Sequence, residues 1–389
     1  MRVLYITHYA DLYGANLSML NMILCLKNNF GVEPYVLLNS KGQLIEELEK
    51  YQINYMIEMY PKCAVNISKS FVKSKKGIKK IHRLFSYRKI LKKIEKINKQ
   101  MPFHHIHSNT SMVDIGGYLS EKIKCPHIWH IREYGLEDYN LDQIDKIKII
   151  RDRYLRAFRV IAISNSIKCM LDDIDKNICS ITIYNGVNIP TVYEKKNCLD
   201  GKIHFCIVGL ISSSKNQMEV VKAAKILLDN YYNHFCIHIV GEDFRNEKEK
   251  ITQYIKENSL EKYVKFEGYQ NNINEYLKWM DVGLMPSKKE AFGRVTIEYM
   301  CNYMPVIGSN SGGTTELIQN EYNGYLYEPE NYVELAEYMS KLIDNIGLLR
   351  KLGKNARDFA EQFSVKNNAE KIYKVYKEVD NGNAVKIKF

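Results

Sequence analysis

The sequence predicts an α/β protein of two doubly wound domains. Three observations carry this. Short apolar runs alternate with helical ones, the alternation starts afresh near residue 203, and a polar stretch containing a proline separates the two series. Short buried strands alternating with helices form parallel sheets covered on both faces.

In the first series, RVLYIT (2–7), EPYVLLN (33–39), HHIHSN (104–109), PHIWHI (126–131) and RVIAIS (159–164) read as strands. Helical periodicity falls at 16–29 and 111–123. The second series runs through IHFCIVG (203–209), FCIHIVG (235–241), VKFEG (264–268), DVGLMPS (281–287), PVIGSN (305–310) and GYLYEP (324–329). The join is YNGVNIPTVYEKKNCLDGKI (184–203), where Asn185-Gly186 and Pro190 interrupt the periodicity. The expected division is a domain over 1–186, a linker over 187–202, a domain over 203–364 and a terminal segment over 365–389. Ligands of such sheets sit at the carboxyl ends of the strands, so the natural site is a cleft where the two domains face each other.

Composition agrees with this class and excludes others. A chain of 389 residues is too long for one ordinary core. With 46% hydrophobic and 26% charged residues it is neither disordered nor fibrous. Nine scattered cysteines, with no close pair, point to reduced thiols. MRVLYITHY meets polar residues too early for a secretion signal, and no apolar run approaches the roughly 20 residues that span a bilayer. A cytoplasmic protein is expected.

The net charge of +11 is local, because residues 69–99 hold thirteen Lys or Arg against the single acid Glu95. Within 71–97, Ile78, Ile81, Leu84, Phe85, Leu91, Ile94 and Ile97 recur at mostly three- and four-residue steps. This predicts an amphipathic basic helix with an interruption near Ser86-Tyr87. Two readings stay open: a surface helix whose apolar face is core, or a face held against anionic lipid. Nucleic acid is disfavoured, since aromatics are few here and no binding motif appears.

The chemistry concentrates in KEAFGRVTIEYM (289–300). A strand runs into a loop with Glu290, and a helix begins at Arg294 with Glu298 one turn in. A helix N-terminus presents free N–H groups that suit a phosphate, and Gly293 lets backbone approach a ligand there. Carboxylates on either side accept hydrogen bonds from sugar hydroxyls. Taken alone, such a pair also describes two solvated glutamates.

The surroundings decide between these. Glu290, Phe292, Gly293 and Glu298 resemble the signature of the retaining glycosyltransferases of family 4, which have the GT-B fold. MPVIGSNSGGTTELI (304–318), with its Gly-Gly-x-x-Glu turn ending at Glu316, and NGYLYEP (323–329) resemble the segments that follow. The likeness extends back through VGLISSSKNQMEVVKAAKIL (208–227), IVGED (239–243), VKFEGY (264–269), IAISNSIK (161–168), IYNGV (183–187) and PHIWHIRE (126–133). It covers most of both domains, in family order.

The resemblance implies roles. Glu290 would hold donor-sugar hydroxyls, with backbone N–H groups of Ala291, Phe292 and Gly293. Glu298 would bind the ribose. Lys215 would pair with the diphosphate, and His130 would lie near the donor sugar. The Gly14 loop would face the phosphates or acceptor, and the loop 267–272, including Tyr269, would contact the base. Alone, His130 reads as a core histidine, Lys215 as a surface lysine and Gly14 as a tight turn. One position departs from the pattern: Leu210 stands where the family has Arg, and Arg294 is the expected substitute. By the same resemblance, the terminal helix (Ile372, Tyr373, Val375, Tyr376, Val379) returns to the N-terminal domain.

The implied function is transfer of a hexose from a nucleotide-diphosphate sugar, UDP-linked, to a glycan or lipid-linked acceptor in capsule, exopolysaccharide or other cell-surface glycan synthesis. The N-terminal domain would bind the acceptor, at the inner face of the cell membrane. No His/Cys/carboxylate cluster with metal spacing appears, so neither a metal nor another cofactor is expected. Two alternatives remain: an inactive GT-B module serving as a membrane-docked partner subunit, and a nucleotide-sugar 2-epimerase. The epimerase would need acid/base carboxylates in the N-terminal half, where only Glu133 and Asp138 follow His130.

Overall fold

The computed structural model describes residues 1–62, 64–66, 72–135, 141–143, 147–190, 195, 196, 198, 200–244 and 246–380. Side chains are described for all of these except 64–66, 72–81, 141–143, 147, 379 and 380. The chain forms two units, Met1–Gly186 with Val365–Phe389, and Val187–Ser364.

The first unit contains β1 (Arg2–Thr7), β2 (Glu33–Leu38), β3 (Asn54–Ile57), β4 (Ala64–Asn66), β5 (His105–Ser108), β6 (His127–Ile131), β7 (Leu141–Gln143), β8 (Arg159–Ala162) and β9 (Ser180–Thr182). Seven of these form a parallel sheet in the order β3-β2-β1-β5-β6-β8-β9, while β4 and β7 pair antiparallel. Alternate residues of each strand point to opposite faces. Val3, Tyr5, Val36 and Leu38 accordingly join one core with Met19 and Ile23 of helix Gly14–Phe30. Leu4, Ile6, Leu37 and Ile106 join the other, with Tyr87, Ile90 and Ile94 of helix Val72–Gln100.

That second core takes part of the basic segment's apolar stripe where side chains are described. Ile90 and Ile94 are fully buried and Leu91 and Ile97 pack against the same core, whereas Leu84 and Phe85 are exposed. The expected interruption near Ser86-Tyr87 is absent, and the helix is continuous. Tyr87 faces inward and hydrogen-bonds Asp114. Residues 69–71 lie outside the described residues.

The second unit contains β10 (Ile203–Val208), β11 (Phe235–Val240), β12 (Val264–Gly268), β13 (Val282–Met285), β14 (Val306–Ser309) and β15 (Gly324–Tyr327). All pair in parallel in the order β12-β11-β10-β13-β14-β15. Both sheets thus reverse direction beside their first strand, at β1/β5 and at β10/β13, as doubly wound nucleotide-binding sheets do. The stretch expected as a linker is fastened to this unit: Arg357 Nη2 donates to the Pro190 carbonyl (2.9 Å) and Lys196 N to that of Lys278 (3.0 Å). Its residues 191–194, 197 and 199 lie outside the described residues.

Helix Val365–Asp380 closes the first unit. Ala369, Ile372, Val375 and Tyr376 enter the core that also holds Met19 and Ile23. The buried Tyr376 hydroxyl lies 2.7 Å from His107 Nδ1 and 3.1 Å from the Tyr5 hydroxyl. Among the described residues no helix is long and apolar enough to cross a membrane. Because Ile372 is fully buried, Ile372→Ala is expected to destabilise the first unit by about 2–5 kcal/mol in chemical denaturation. An unchanged midpoint would show that the helix does not hold this core.

Candidate active site

Parallel strands deliver their following loops to one edge of the sheet. At the reversal of the second sheet these loops are 209–216, after β10, and 286–293, after β13. Lys215 lies on the first and Glu290 on the second. Lys215 Nζ donates to Glu290 Oε1, an ion pair of two half-buried side chains 75 residues apart in sequence.

The backbone explains why they meet. Gly209 N donates to the Val240 carbonyl (2.9 Å), and Gly241 sits so close that a Cβ there would lie 2.0 Å from Gly209 O. Lys288 N donates to Ser214 O (3.0 Å), joining the two loops directly. Gly313 N donates to Glu290 O (2.7 Å), and a Cβ on Gly313 would come 2.8 Å from Ala291 O. Ser309 Oγ donates to Ser287 O (2.8 Å). Sequence reading identified the Gly-Gly turn but missed Gly313 as the residue that seats this loop.

Gly293 caps helix Arg294–Cys301 at φ +87°, in the left-handed region. Phe292 is buried and packs 5.9 Å from Phe363, so only its backbone is available to a ligand. Arg294 turns along its own helix, where Nε donates to Glu298 Oε1 (2.7 Å). The two charges expected to serve separate parts of a ligand are thus brought together. Leu210 is 42% exposed and Tyr269 65% exposed, both large apolar surfaces on loops of this edge.

In the first unit, His130 lies near the carboxyl end of β6, fully buried. Arg132 Nη2 approaches its Nδ1 at 3.3 Å, and His107 Nε2 at 3.2 Å. A guanidinium only donates, so Nδ1 accepts and the ring proton sits on Nε2. Among the described residues that nitrogen has no hydrogen-bond partner, an orphan that buried polar atoms rarely remain. Burial, then the positive Arg132, hold the His130 pKa well below the ordinary value.

Glu133 is buried, and its Oε1 accepts from Thr110 Oγ1 (2.5 Å), Ser111 N (2.7 Å) and Ser111 Oγ (2.7 Å). It fastens the 110–111 loop, and Asp138 lies outside the described residues. Gly14 opens its helix with open space where a Cβ would stand. The residue that ties down its loop is Asn16, which sequence reading missed. Asn16 accepts from Thr7 Oγ1 (2.6 Å) and donates to the carbonyls of Tyr9 (3.0 Å) and Asp11 (2.8 Å). His204, Cys236 and His238 also come together, their ligand atoms within 4.8 Å of one another. They lie on adjacent strands, and His204 shows no short spacing to the other two in sequence.

Two Rossmann-like sheets, each with a polar constellation at its strand ends, define the GT-B class of glycosyltransferase architecture. Residues 190–359 match the family described as glycosyl transferases group 1, so the second unit is a domain of that family. The chain is 28% identical over 276 residues to the uncharacterized glycosyltransferase MJ1178 of Methanocaldococcus jannaschii, covering 69% of this chain and 72% of that one. It is 24% identical over 322 residues to the UDP-Gal:alpha-D-GlcNAc-diphosphoundecaprenol alpha-1,3-galactosyltransferase of Escherichia coli, covering 77% and 80%. The Anabaena protein Alr3699/HepE, solved in complex with UDP, superposes with a TM-score of 0.79 at 20% identity, covering 97% of this chain and all of that one. At that identity the likeness is one of fold.

The histidines of the first unit generate a pH prediction. Burial lowers His8 and His127 to about 3, and holds His107 and His130 well below 6.5. The folded protein keeps all four neutral, while the unfolded chain takes up protons below about pH 6.5. The unfolded state then binds more protons, so stability falls on acidification by up to about 1.4 kcal/mol per pH unit for each histidine. Denaturation midpoints at pH 7, 6 and 5 are expected to drop steadily, and a flat profile would overturn the assignment.

Proposed function

We propose that this chain is a retaining family 4 glycosyltransferase, metal-independent at its donor diphosphate. It moves a hexose from a UDP-sugar to a glycan or lipid-linked acceptor of a cell-surface polymer. The observation that carries this is the Lys215–Glu290 pair at the reversal of the second sheet, where doubly wound folds bind nucleotides. Two relatives support the donor and acceptor classes: the Escherichia coli relative is a UDP-Gal:alpha-D-GlcNAc-diphosphoundecaprenol galactosyltransferase, and the Anabaena protein was solved in complex with UDP.

In this reading Glu290 accepts hydrogen bonds from donor-sugar hydroxyls and the backbone N–H groups of 291–293 support it. Glu298 takes the ribose and Tyr269 the base. Lys215 neutralises charge on the departing diphosphate, as a positioned cation does for any developing anion. The bond from the anomeric carbon to the diphosphate oxygen breaks, the acceptor oxygen bonds to that carbon on the same face, and the acceptor proton passes to the departing phosphate oxygen. His130 donates from Nε2 to a substrate hydroxyl. Arg294, held on Glu298, is the second cation that Leu210 does not supply.

The competing reading is an inactive module, favoured by the exposed Leu210 standing where the family pattern has Arg. An epimerase is less well supported, because Glu133 is engaged with Thr110 and Ser111.

Binding and slow hydrolysis of a nucleotide-sugar panel, measured in chelator, separate these. One donor is expected to bind; Glu298→Ala should weaken it by about tenfold, roughly 1.4 kcal/mol, and Glu290→Ala should abolish turnover. Turnover unchanged in Glu290→Ala sinks the assignment, and a folded protein that binds no donor favours the inactive module.

A peripheral site at an anionic membrane is part of the proposal. Helix Val72–Gln100 presents Arg88, Lys89, Lys92, Lys93 and Lys96 outward, beside the exposed Leu84 and Phe85. Sedimentation with vesicles containing anionic lipid is expected and should weaken with salt, as electrostatic attachment does. Equal binding to zwitterionic vesicles would contradict it.

A further inference from the structure

On β10 and β11 the residues facing the main core are apolar: Phe205, Ile207, Ile237 and Ile239. The alternate positions carry His204, Cys206, Cys236 and His238. In register His204 lies beside Cys236 and Cys206 beside His238, which makes a two-by-two grid of imidazoles and thiols. His204, Cys236 and His238 are all at least nine-tenths buried. No step of the proposed transfer uses them, and His204 and Cys236, each the second residue of its strand, lie at the strand ends opposite Lys215 and Glu290.

We propose that His204, Cys236 and His238 bind one divalent ion of the zinc class. The hydrogen bonds fix the tautomers. Asp200 Oδ1 lies 3.0 Å from His204 Nε2, and Glu267 Oε1 lies 2.8 Å from His238 Nδ1. A carboxylate accepts, so each of those nitrogens carries its ring's proton. The Tyr276 hydroxyl, 3.0 Å from His238 Nδ1, can accept as well as donate and leaves this assignment intact. The two remaining nitrogens, His204 Nδ1 and His238 Nε2, face each other at 2.9 Å. Both then present lone pairs, which repel unless a cation lies between them.

A proton could occupy that place, but it needs no third donor. The Cys236 sulfur, one of three ligand atoms of this cluster that lie within 4.8 Å of one another, supplies one. Two imidazole nitrogens and a thiolate are a zinc-type donor set. A carboxylate on the far nitrogen of each ligating histidine is the outer support such sites use. Binding displaces the Cys236 thiol proton to solvent. The ion would tie β10, whose following loop carries Lys215, to β11.

Cobalt(II), added to the chelator-stripped full chain, reads the site directly. Uptake of one equivalent with thiolate-to-cobalt absorption is expected, together with a rise in Tm on adding zinc. Cys236→Ser, a near-isosteric change, should remove the absorption band while circular dichroism confirms the fold. No cobalt uptake by the folded wild type means that a proton occupies the position, and the proposal fails. A band that persists in Cys236→Ser places the metal on another cysteine and equally overturns it. Neither result depends on transferase activity.

Discussion

What the second unit offers a ligand depends on the handedness of its crossovers. Parallel strands joined through helices connect in a right-handed sense. Crossovers leaving β10 and β13 therefore wind to opposite faces of the sheet, and the loops above these strands part. The gap between them is where the loops 209–216 and 286–293 bring their side chains together. Lys215 and Glu290 need no special sequence relation to meet there, because the topology places them. The rest of the site, from the Gly293 cap to the Ser309–Ser287 tie, adjusts the walls of that gap.

The walls are set by close backbone approach rather than by charge. Gly241 beneath Gly209 and Gly313 beneath Ala291 bring adjacent loops within distances that a methyl group would forbid. The Lys215–Glu290 ion pair is weak evidence for stability, since exposed or half-exposed pairs contribute little. Its effect is to hold a cation and a carboxylate against each other at the reversal of the sheet.

The two parallel sheets were legible because their central strands are buried on both faces and read as unbroken apolar runs. β3 and β9 were not legible: Asn54–Ile57 and Ser180–Thr182 are edge strands, short and only partly buried, so their residues carry no clear pattern. The basic helix showed its stripe but not its continuity, since Tyr87 turns a polar-looking position into core through Asp114. At the site, Glu290, Glu298 and Lys215 were visible by resemblance. The Arg294–Glu298 pairing was not, because spacing on a helix does not say which way a guanidinium turns. His204, Cys236 and His238 were invisible, as strand pairing supplies a proximity that chain distance conceals.

Helix Val365–Asp380 belongs to the first unit although that unit's other residues end at Gly186. During synthesis, Val187–Ser364 leaves the ribosome as one uninterrupted piece and has all of its strands before the final helix emerges. The first unit, made earlier, waits with Met19, Ile23 and Tyr5 lacking the side chains that cover them. The half of the protein that is translated first is thus the last to mature, and its apolar sheet face is what a nascent-chain chaperone would meet in the interval.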